Sequence, residues 1–401
     1  MPPSDSTTFW KRHARMVRAA IGCVYVLGIV GLGYLIACAL YVDVDVFGVF
    51  REEAEPTFAS LPPPDPTVVA SVSAGPSIFH SSKLPKIASA RKQDLFDSTC
   101  NRSFSRLTQL IEGVLDQTFG AMLTGGYACE GRCLYPKTDY AYSASEWESL
   151  PIVVDCDVAE TRCTRNGSDE YIYHYLHTQI AAMMRNSSSP PPRRAPFKPS
   201  VYIVLFDSVA DTQSMRSFPT TIEYLQRRFN ATRFRHLNKV GDNSRPNGYA
   251  FLLGDVAYGI NKEIFGVPSL KSRWGYERSC KTPLDLEDDF VFTRFRRRGY
   301  RTMIAEDWAE GVFNYPSCIG FNNKPVDHYM RPFQLRLDEK AAPTLLKTAM
   351  GIKSCREPHL DLMEYMDKFI RAYPDDPKFG FIWMSYLTHD NPNMIFHADK
   401  D

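Results

Sequence analysis

Excess charge of either sign is missing from this chain: 47 lysines and arginines stand against 46 aspartates and glutamates, a net charge of +1. The basic residues are also dispersed, which removes the electrostatic footprint that nucleic-acid binding requires. Zinc spacing is lacking too. Cys129-x-x-x-Cys133 has no matching second pair nearby, and a structural zinc takes four ligands. Residues 43–95 have little apolar periodicity. They are rich in Ser and Ala, include Leu61-Pro-Pro-Pro-Asp-Pro66, and read as a stem rather than a domain.

What is present begins with an apolar run. Lys11, Arg12, Arg15 and Arg18 precede an uncharged stretch from Ala19 to Val42, after which come Asp43 and Asp45. That stretch exceeds the ~20 residues needed to cross a bilayer, and its basic flank belongs on the cytosolic side. A cleaved signal peptide has an apolar region of only ~7–15 residues ending in a small-residue cleavage site. The expected layout is therefore a cytosolic tail (1–18), a transmembrane signal anchor (19–42) and a stem (43–95). The remainder lies in the lumen or outside, making a single-pass type II protein of the Golgi or plasma membrane. Gly28, Gly31 and Gly33 lack the strict G-x-x-x-G spacing of a helix-dimerisation face. The membrane is the one partner read here, with no nucleic acid.

Four glycosylation sequons, at Asn101, Asn166, Asn186 and Asn230, all follow the span, as luminal exposure requires. Of ten cysteines, Cys23 and Cys38 fall inside the apolar run. The other eight, Cys100, Cys129, Cys133, Cys156, Cys163, Cys280, Cys318 and Cys355, form an even luminal set that points to disulfides without revealing the pairing.

Residues 96–186 form a Cys-containing luminal region. Phe104, Leu107, Ile111, Val114 and Leu115 recur at helical spacing, which predicts a helix over Ser103–Phe119. A strand at Pro151–Val154 runs into Asp155-Cys156-Asp157, and a second helix is expected over Asp169–Met184. The Pro-rich stretch 187–199 breaks regular structure. Over 200–401 the pattern alternates. Strands are expected at 201–206, Thr232–Leu237, Tyr300–Ala305 and Phe379–Leu387. Helices are expected at Pro219–Phe229, Pro246–Leu253, Asp288–Arg298 and His359–Tyr373. Such alternation defines an α/β domain with a mostly parallel sheet between helices.

Two segments carry chemistry. Val201–Ser208 (VYIVLFDS) is an apolar run closed by Asp207, and a buried parallel strand would deliver that carboxylate to the sheet edge where α/β folds hold ligands. In Gly241–Asn247 (GDNSRPN), Ser244 opens a helix, where backbone N–H groups favour an anion. An acid able to hold a metal and a hydroxyl the metal could ionise suit hydrolysis of phosphate or sulfate esters. The bland alternative is that Asp207 forms a turn and Ser244 is an N-cap.

These motifs resemble the alkaline phosphatase/sulfatase superfamily. A closer resemblance is to an uncharacterised sulfatase-like family of secreted or membrane-anchored animal proteins. It rests on Lys239–Asn247, Glu306-Asp307-Trp308, Pro325–Pro332 and Thr388-His-Asp-Asn391, and covers roughly residues 96–401. The resemblance implies an alkaline-phosphatase-like fold, Asp207 and Ser244 on a divalent metal (zinc, calcium or magnesium), Ser244 as nucleophile and His389 touching the substrate. A loop histidine capping the strand end is the other reading of His389, and Asp307 is read as structural. Two departures matter. Gly248 stands where formylglycine sulfatases carry Arg, which turns the expectation from sulfate towards phosphate esters. The Asp-His pair that completes the superfamily's metal site is missing, since Asp327-His328 matches a different motif, so the chain is expected to be incomplete and inactive. Two alternatives stand beside this one: a non-catalytic, membrane-tethered glycoprotein, and a Golgi-type glycosyltransferase using Asp155 and Asp157 as a metal-binding Asp-x-Asp.

Overall fold

The computed structural model describes residues 34–39, 100–181 and 198–399, with the exception of 102, 235, 236, 274, 287 and 288. Of the expected span 19–42, only Tyr34–Ala39 is therefore described, and it forms a strand, β1, rather than a helix. The rest of the span, the stem and Asn186 lie outside the described residues. No helix among the described residues is long and apolar enough to cross a membrane.

The Cys-containing region is built from strands where two helices were expected. Thr108–Ile111 (β2) and Val114–Gln117 (β3) pair as an antiparallel hairpin. The hydrophobic spacing there suggests a helix, but Glu112 and Gly113 take positive φ of 49° and 83°. Two left-handed residues make the tight turn whose twist matches a hairpin. A short helix, α1 (Phe119–Thr124), follows, capped by the Thr118 side chain on the Ala121 N–H. Next come β4 (Tyr127–Thr138), β5 (Ala141–Ala144), β6 (Glu148–Ser149), β7 (Ile152–Val153), β8 (Val158–Arg165) and β9 (Tyr171–Thr178). Over its described part, 169–181, the expected helix 169–184 is replaced by β9, Tyr-Ile-Tyr-His-Tyr-Leu-His-Thr, whose aromatic and β-branched side chains suit a pleated, buried surface; 182–184 lie outside the described residues. β5-β4-β8-β9 make one antiparallel sheet with β6 at its side, and β2-β3-β7 make a second, three-stranded one.

Beyond residue 198 the alternation holds. The elements are β10 (Val201–Phe206), α2 (Asp211–Ser217), α3 (Pro219–Phe229), α4 (Ser244–Leu253), α5 (Gly275–Lys281), α6 (Val291–Arg297), β11 (Arg301–Glu306) and β12 (His328–Tyr329). After them come α7 (Arg331–Asp338), α8 (Thr344–Ala349), α9 (Pro358–Ala372) and β13 (Lys378–Met384). The strand expected over 232–237 does not form among the described residues there: 231–234 are irregular, and Arg233 pairs with Asp211.

The central sheet runs β1-β10-β13-β11-β12, parallel from β10 to β12, with β1 antiparallel on the β10 edge. All seven residues of β13 are buried, as expected of a parallel strand covered on both faces. One face packs against α4 and α6 through Tyr249, Leu252, Phe292 and Phe295. The other meets α7, α8 and α9 through Phe333, Leu346, Leu362 and Phe369, in a cluster that also takes in Val158, Tyr173 and Tyr175 of the antiparallel sheet.

All eight cysteines after the span are paired: Cys100–Cys355, Cys129–Cys163, Cys133–Cys156 and Cys280–Cys318. Cross-linking by the first, which spans 255 residues, is worth about 5 kcal/mol on a chain-entropy account, against about 3–4 for the shorter loops. Denatured, unreduced protein is therefore expected to titrate two thiols, Cys23 and Cys38, in a thiol count. Four or more would break a bridge. Three sequon asparagines, Asn101, Asn166 and Asn230, are exposed.

Candidate functional site

Asp207 and Ser244 lie 37 residues apart in sequence, yet the Ser244 hydroxyl donates to Asp207 Oδ2 at 3.1 Å. Asp207 follows the last residue of β10 and is 3% exposed. Its N–H continues the ladder to the Met384 carbonyl at 2.9 Å, and Ser208, at a positive φ of 62°, turns the chain sharply away. A non-glycine residue held there is strained and found often at functional positions. Trp383 Nε1 donates to the same Oδ2 at 3.1 Å, Ser208 Oγ lies 3.4 Å from Oδ1, and the Thr388 hydroxyl donates to the Asp207 carbonyl.

Ser244 is the first helical residue of α4; the N-cap is Asn243, whose side chain makes no capping bond. The hydroxyl is thus spent on a carboxylate and not on the helix's own N–H groups. Asn247 holds the approach to the helix. Its Oδ1 accepts from the N–H groups of Val240 (2.7 Å) and Gly241 (3.3 Å), and its Nδ2 donates to the carbonyls of Gly241 (2.8 Å) and Asn243 (2.7 Å). Gly241 is required for a close approach, since a Cβ there would sit 2.5 Å from the Pro246 ring. At Gly248 a Cβ would meet Val312 at 2.6 Å, so this position is a packing surface. Arg245 turns inward, donating to the Tyr315 carbonyl and to Cys318 Sγ of the Cys280–Cys318 bridge.

Two further acids sit at the end of β11. Glu306 accepts from the Val312 N–H at 3.1 Å. Asp307 accepts from the N–H groups of Ser385 (2.7 Å) and Tyr386 (3.1 Å), just past β13. Burial pushes Asp307 up to about 8 and Glu306 up to about 7, with the nearby Asp207 charge adding to both. Burial also raises Asp207, against the charge of His389 and the hydrogen bonds from Trp383 and Ser244. Desolvated acids grouped this way favour the neutral form or a neighbouring positive charge. The carboxyl end of the parallel sheet is thus acidic and buried. No group of three or more His, Cys, Asp or Glu side chains among the described residues could hold a metal ion. His389, after β13, is half-buried and pairs through Nδ1 with Asp390 at 2.9 Å.

Asp327 and His328 lie elsewhere. Asp327 accepts from the Thr302 N–H and hydroxyl, and His328 sits between Asp157 (3.0 Å) and the Tyr373 hydroxyl (2.6 Å). The Asp-x-Asp motif is divided in the same way: Asp155 accepts from the Tyr135 hydroxyl at 2.6 Å, while Asp157 takes His328, the Tyr365 hydroxyl and the Ala181 N–H. Trp383, Thr388 and Asn247 join the site as positioning residues. Asn247 and Thr388 had a sequence signal, as parts of the Ser-Arg-Pro-Asn and Thr-His-Asp-Asn runs, and Trp383 had none.

Fold and site together define a parallel α/β domain with a serine–aspartate pair at the carboxyl edge of its sheet. Residues 82–401 match the family described as "Protein of unknown function (DUF229)", and the chain belongs to that family. No curated protein matches it, and no solved structure does.

Proposed function

We propose that this chain carries a site of the phosphate-ester hydrolase kind, with Ser244 as a nucleophile able to react with phosphorus but without turnover of simple esters, on a type II membrane glycoprotein. The supporting observation is the 3.1 Å contact between the Ser244 hydroxyl and the buried Asp207, placed where a parallel sheet presents ligands and a helix begins. In this reading Ser244 Oγ attacks phosphorus as its proton passes to Asp207 Oδ2, the P–O bond to the ester's alcohol breaks, the leaving oxygen takes that proton from Asp207, and the N-terminal turn of α4 faces the negative oxygens. Zinc, magnesium or calcium would find two oxygens here, short of the roughly three protein ligands of a catalytic site. The described residues do not fit such an ion, so no step is assigned to it. That same shortage favours, as a second reading, a tethered glycoprotein without turnover.

Covalent trapping separates the two. A fluorophosphonate is expected to modify Ser244: the Oγ–P bond forms, the P–F bond breaks, fluoride leaves and the proton goes to Asp207. Peptide mass spectrometry that finds no preference for Ser244 over surface serines would sink the nucleophile assignment. Adding zinc, magnesium or calcium is expected to give no turnover of simple phosphate mono- or diesters. Turnover lost both on chelation and in Ser244→Ala would show that the ligand set is complete.

The topology rests on the basic flank, the apolar run and the oxidised cysteines. Pairing of Tyr34–Ala39 with β10 and insertion of those residues in a bilayer exclude one another. Expression in secretory cells is expected to give a band that loses mass on N-glycosidase treatment, with an N-terminal tag hidden in intact cells. An unshifted band or an outward-facing tag overturns the orientation.

A further inference from the structure

The loop that follows α4 has its polarity inside out. Ile260 and Leu270 close it by two backbone hydrogen bonds, of 2.8 and 2.9 Å. Between them the polar side chains are spent on the loop itself. Asn261 Oδ1 accepts from the Glu263 N–H at 2.8 Å and from the Ser269 hydroxyl at 3.2 Å, and Ser269 Oγ accepts from the Lys262 N–H at 3.3 Å. One tight helical turn, Glu263–Phe265, ends on Gly266 at a φ of 65°, and Pro268 fixes the backbone beyond it. The apolar side chains are left outside. Ile264 is 85% exposed and Phe265 74%, with Val267 and Leu270 exposed beside them. Lys262 and Lys271 flank this tip, and Glu263 is the only acid between Gly259 and Ser272. Apolar side chains clustered in water on a hydrogen-bonded frame mark a contact surface.

We propose that this tip is a bilayer contact: Ile264 and Phe265 enter the acyl chains of the leaflet facing the domain, and Lys262 and Lys271 extend to the headgroup phosphates. Two features select lipid over a protein partner. Ile264 and Phe265 together can bury on the order of 300–400 Å², well short of the roughly 800 Å² that each partner gives to a stable protein interface. The stem, 43–95, also keeps the domain beside a membrane, since a flexible chain of that length spans roughly 40 Å. A tethered surface presents itself at high effective concentration, so a weak contact suffices. The inference rests on the anchored topology proposed above and is independent of any reaction at Ser244.

The test is photolabelling of the full chain in phosphatidylcholine liposomes, a minor fraction of whose acyl chains carry a diazirine. Trypsin, cutting after Lys262 and Lys271, releases 263–271 as one peptide. Lipid adducts are expected on that peptide and within the span 19–42. Ile264→Ser combined with Phe265→Ser should cut the adducts on 263–271 at least about tenfold. The span's adducts and the melting temperature should stay as in the parent, because both side chains are exposed. Adducts on the span with none on 263–271 overturn the proposal and leave the anchor standing. So do adducts that fall instead on the exposed Phe119 and Leu123 of α1, or that persist on 263–271 in the double variant. Adducts on 263–271 with none on the span would keep the loop contact and remove the anchor, and adducts on neither would remove both.

Discussion

Asp207→Asn is expected to slow fluorophosphonate trapping of Ser244 by about two to four orders of magnitude, the usual contribution of a positioned general base. Asparagine keeps an oxygen for the Trp383 and Ser244 donors but cannot take the serine proton. The fold should survive, because the carboxyl group is nearly isosteric with the amide and the Trp383 bond, 3.1 Å in the parent, can persist. Ser244→Ala is expected to leave thermal stability nearly unchanged. The Ser244 hydroxyl serves no helix N–H, so the ~0.5–2 kcal/mol of a lost N-cap does not apply. The assignment fails if trapping in Asp207→Asn keeps the parent rate while Ser244→Ala unfolds at lower temperature, since Ser244 would then be structural.

A second large effect is expected far from that pair. Glu160 of β8 is fully buried and accepts from Arg132 (2.8 Å), Arg336 of α7 (2.8 Å) and His174 of β9 (2.6 Å). Burial works to raise its pKa, but the His174 bond and the two arginine charges more than offset this and hold it at about 2 instead of 4.5. A depressed carboxyl contributes stability that is full above its unfolded pKa of 4.5 and is lost as pH falls towards 2. At about 1.4 kcal/mol per unit, the contribution is about 3 kcal/mol. Glu160→Gln should cost about 3–5 kcal/mol at pH 7, because two arginines are left facing a neutral group. Urea unfolding followed from pH 7 to pH 2.5 should show the gap between parent and variant closing below pH 4.5. Parallel decline of the two would assign the acid sensitivity to other groups.

Runs with one dominant physical signal were the legible part of the sequence. The apolar segments 201–206 and 379–387 read as buried strands, the second ending at Met384 rather than Leu387, and a carboxylate closes the first. Segments with two competing signals misled. In 103–119 the apolar residues fit a helix, but Glu112-Gly113 made a hairpin turn. In 169–184 the period did not separate a helix from the aromatic strand β9. At the site, Ser244 and Asp207 were visible because each sits in a motif. Trp383 was not, because a tryptophan inside a buried strand looks like core until its indole N–H is found on Asp207. Glu160 and its three partners were hidden for a related reason. They come from β4, β8, β9 and α7, and nothing local announces a partner 176 residues away.

The Pro-rich stretch 187–199 lies in sequence between the antiparallel sheets and the parallel strands β10 to β13. Of the four disulfides, Cys100–Cys355 joins a residue before that stretch to one after it, and the other three close on one side or the other. A protease cutting within 187–199 would divide the polypeptide without dividing the molecule: even after denaturation the two fragments would travel as one body until that single bond was reduced.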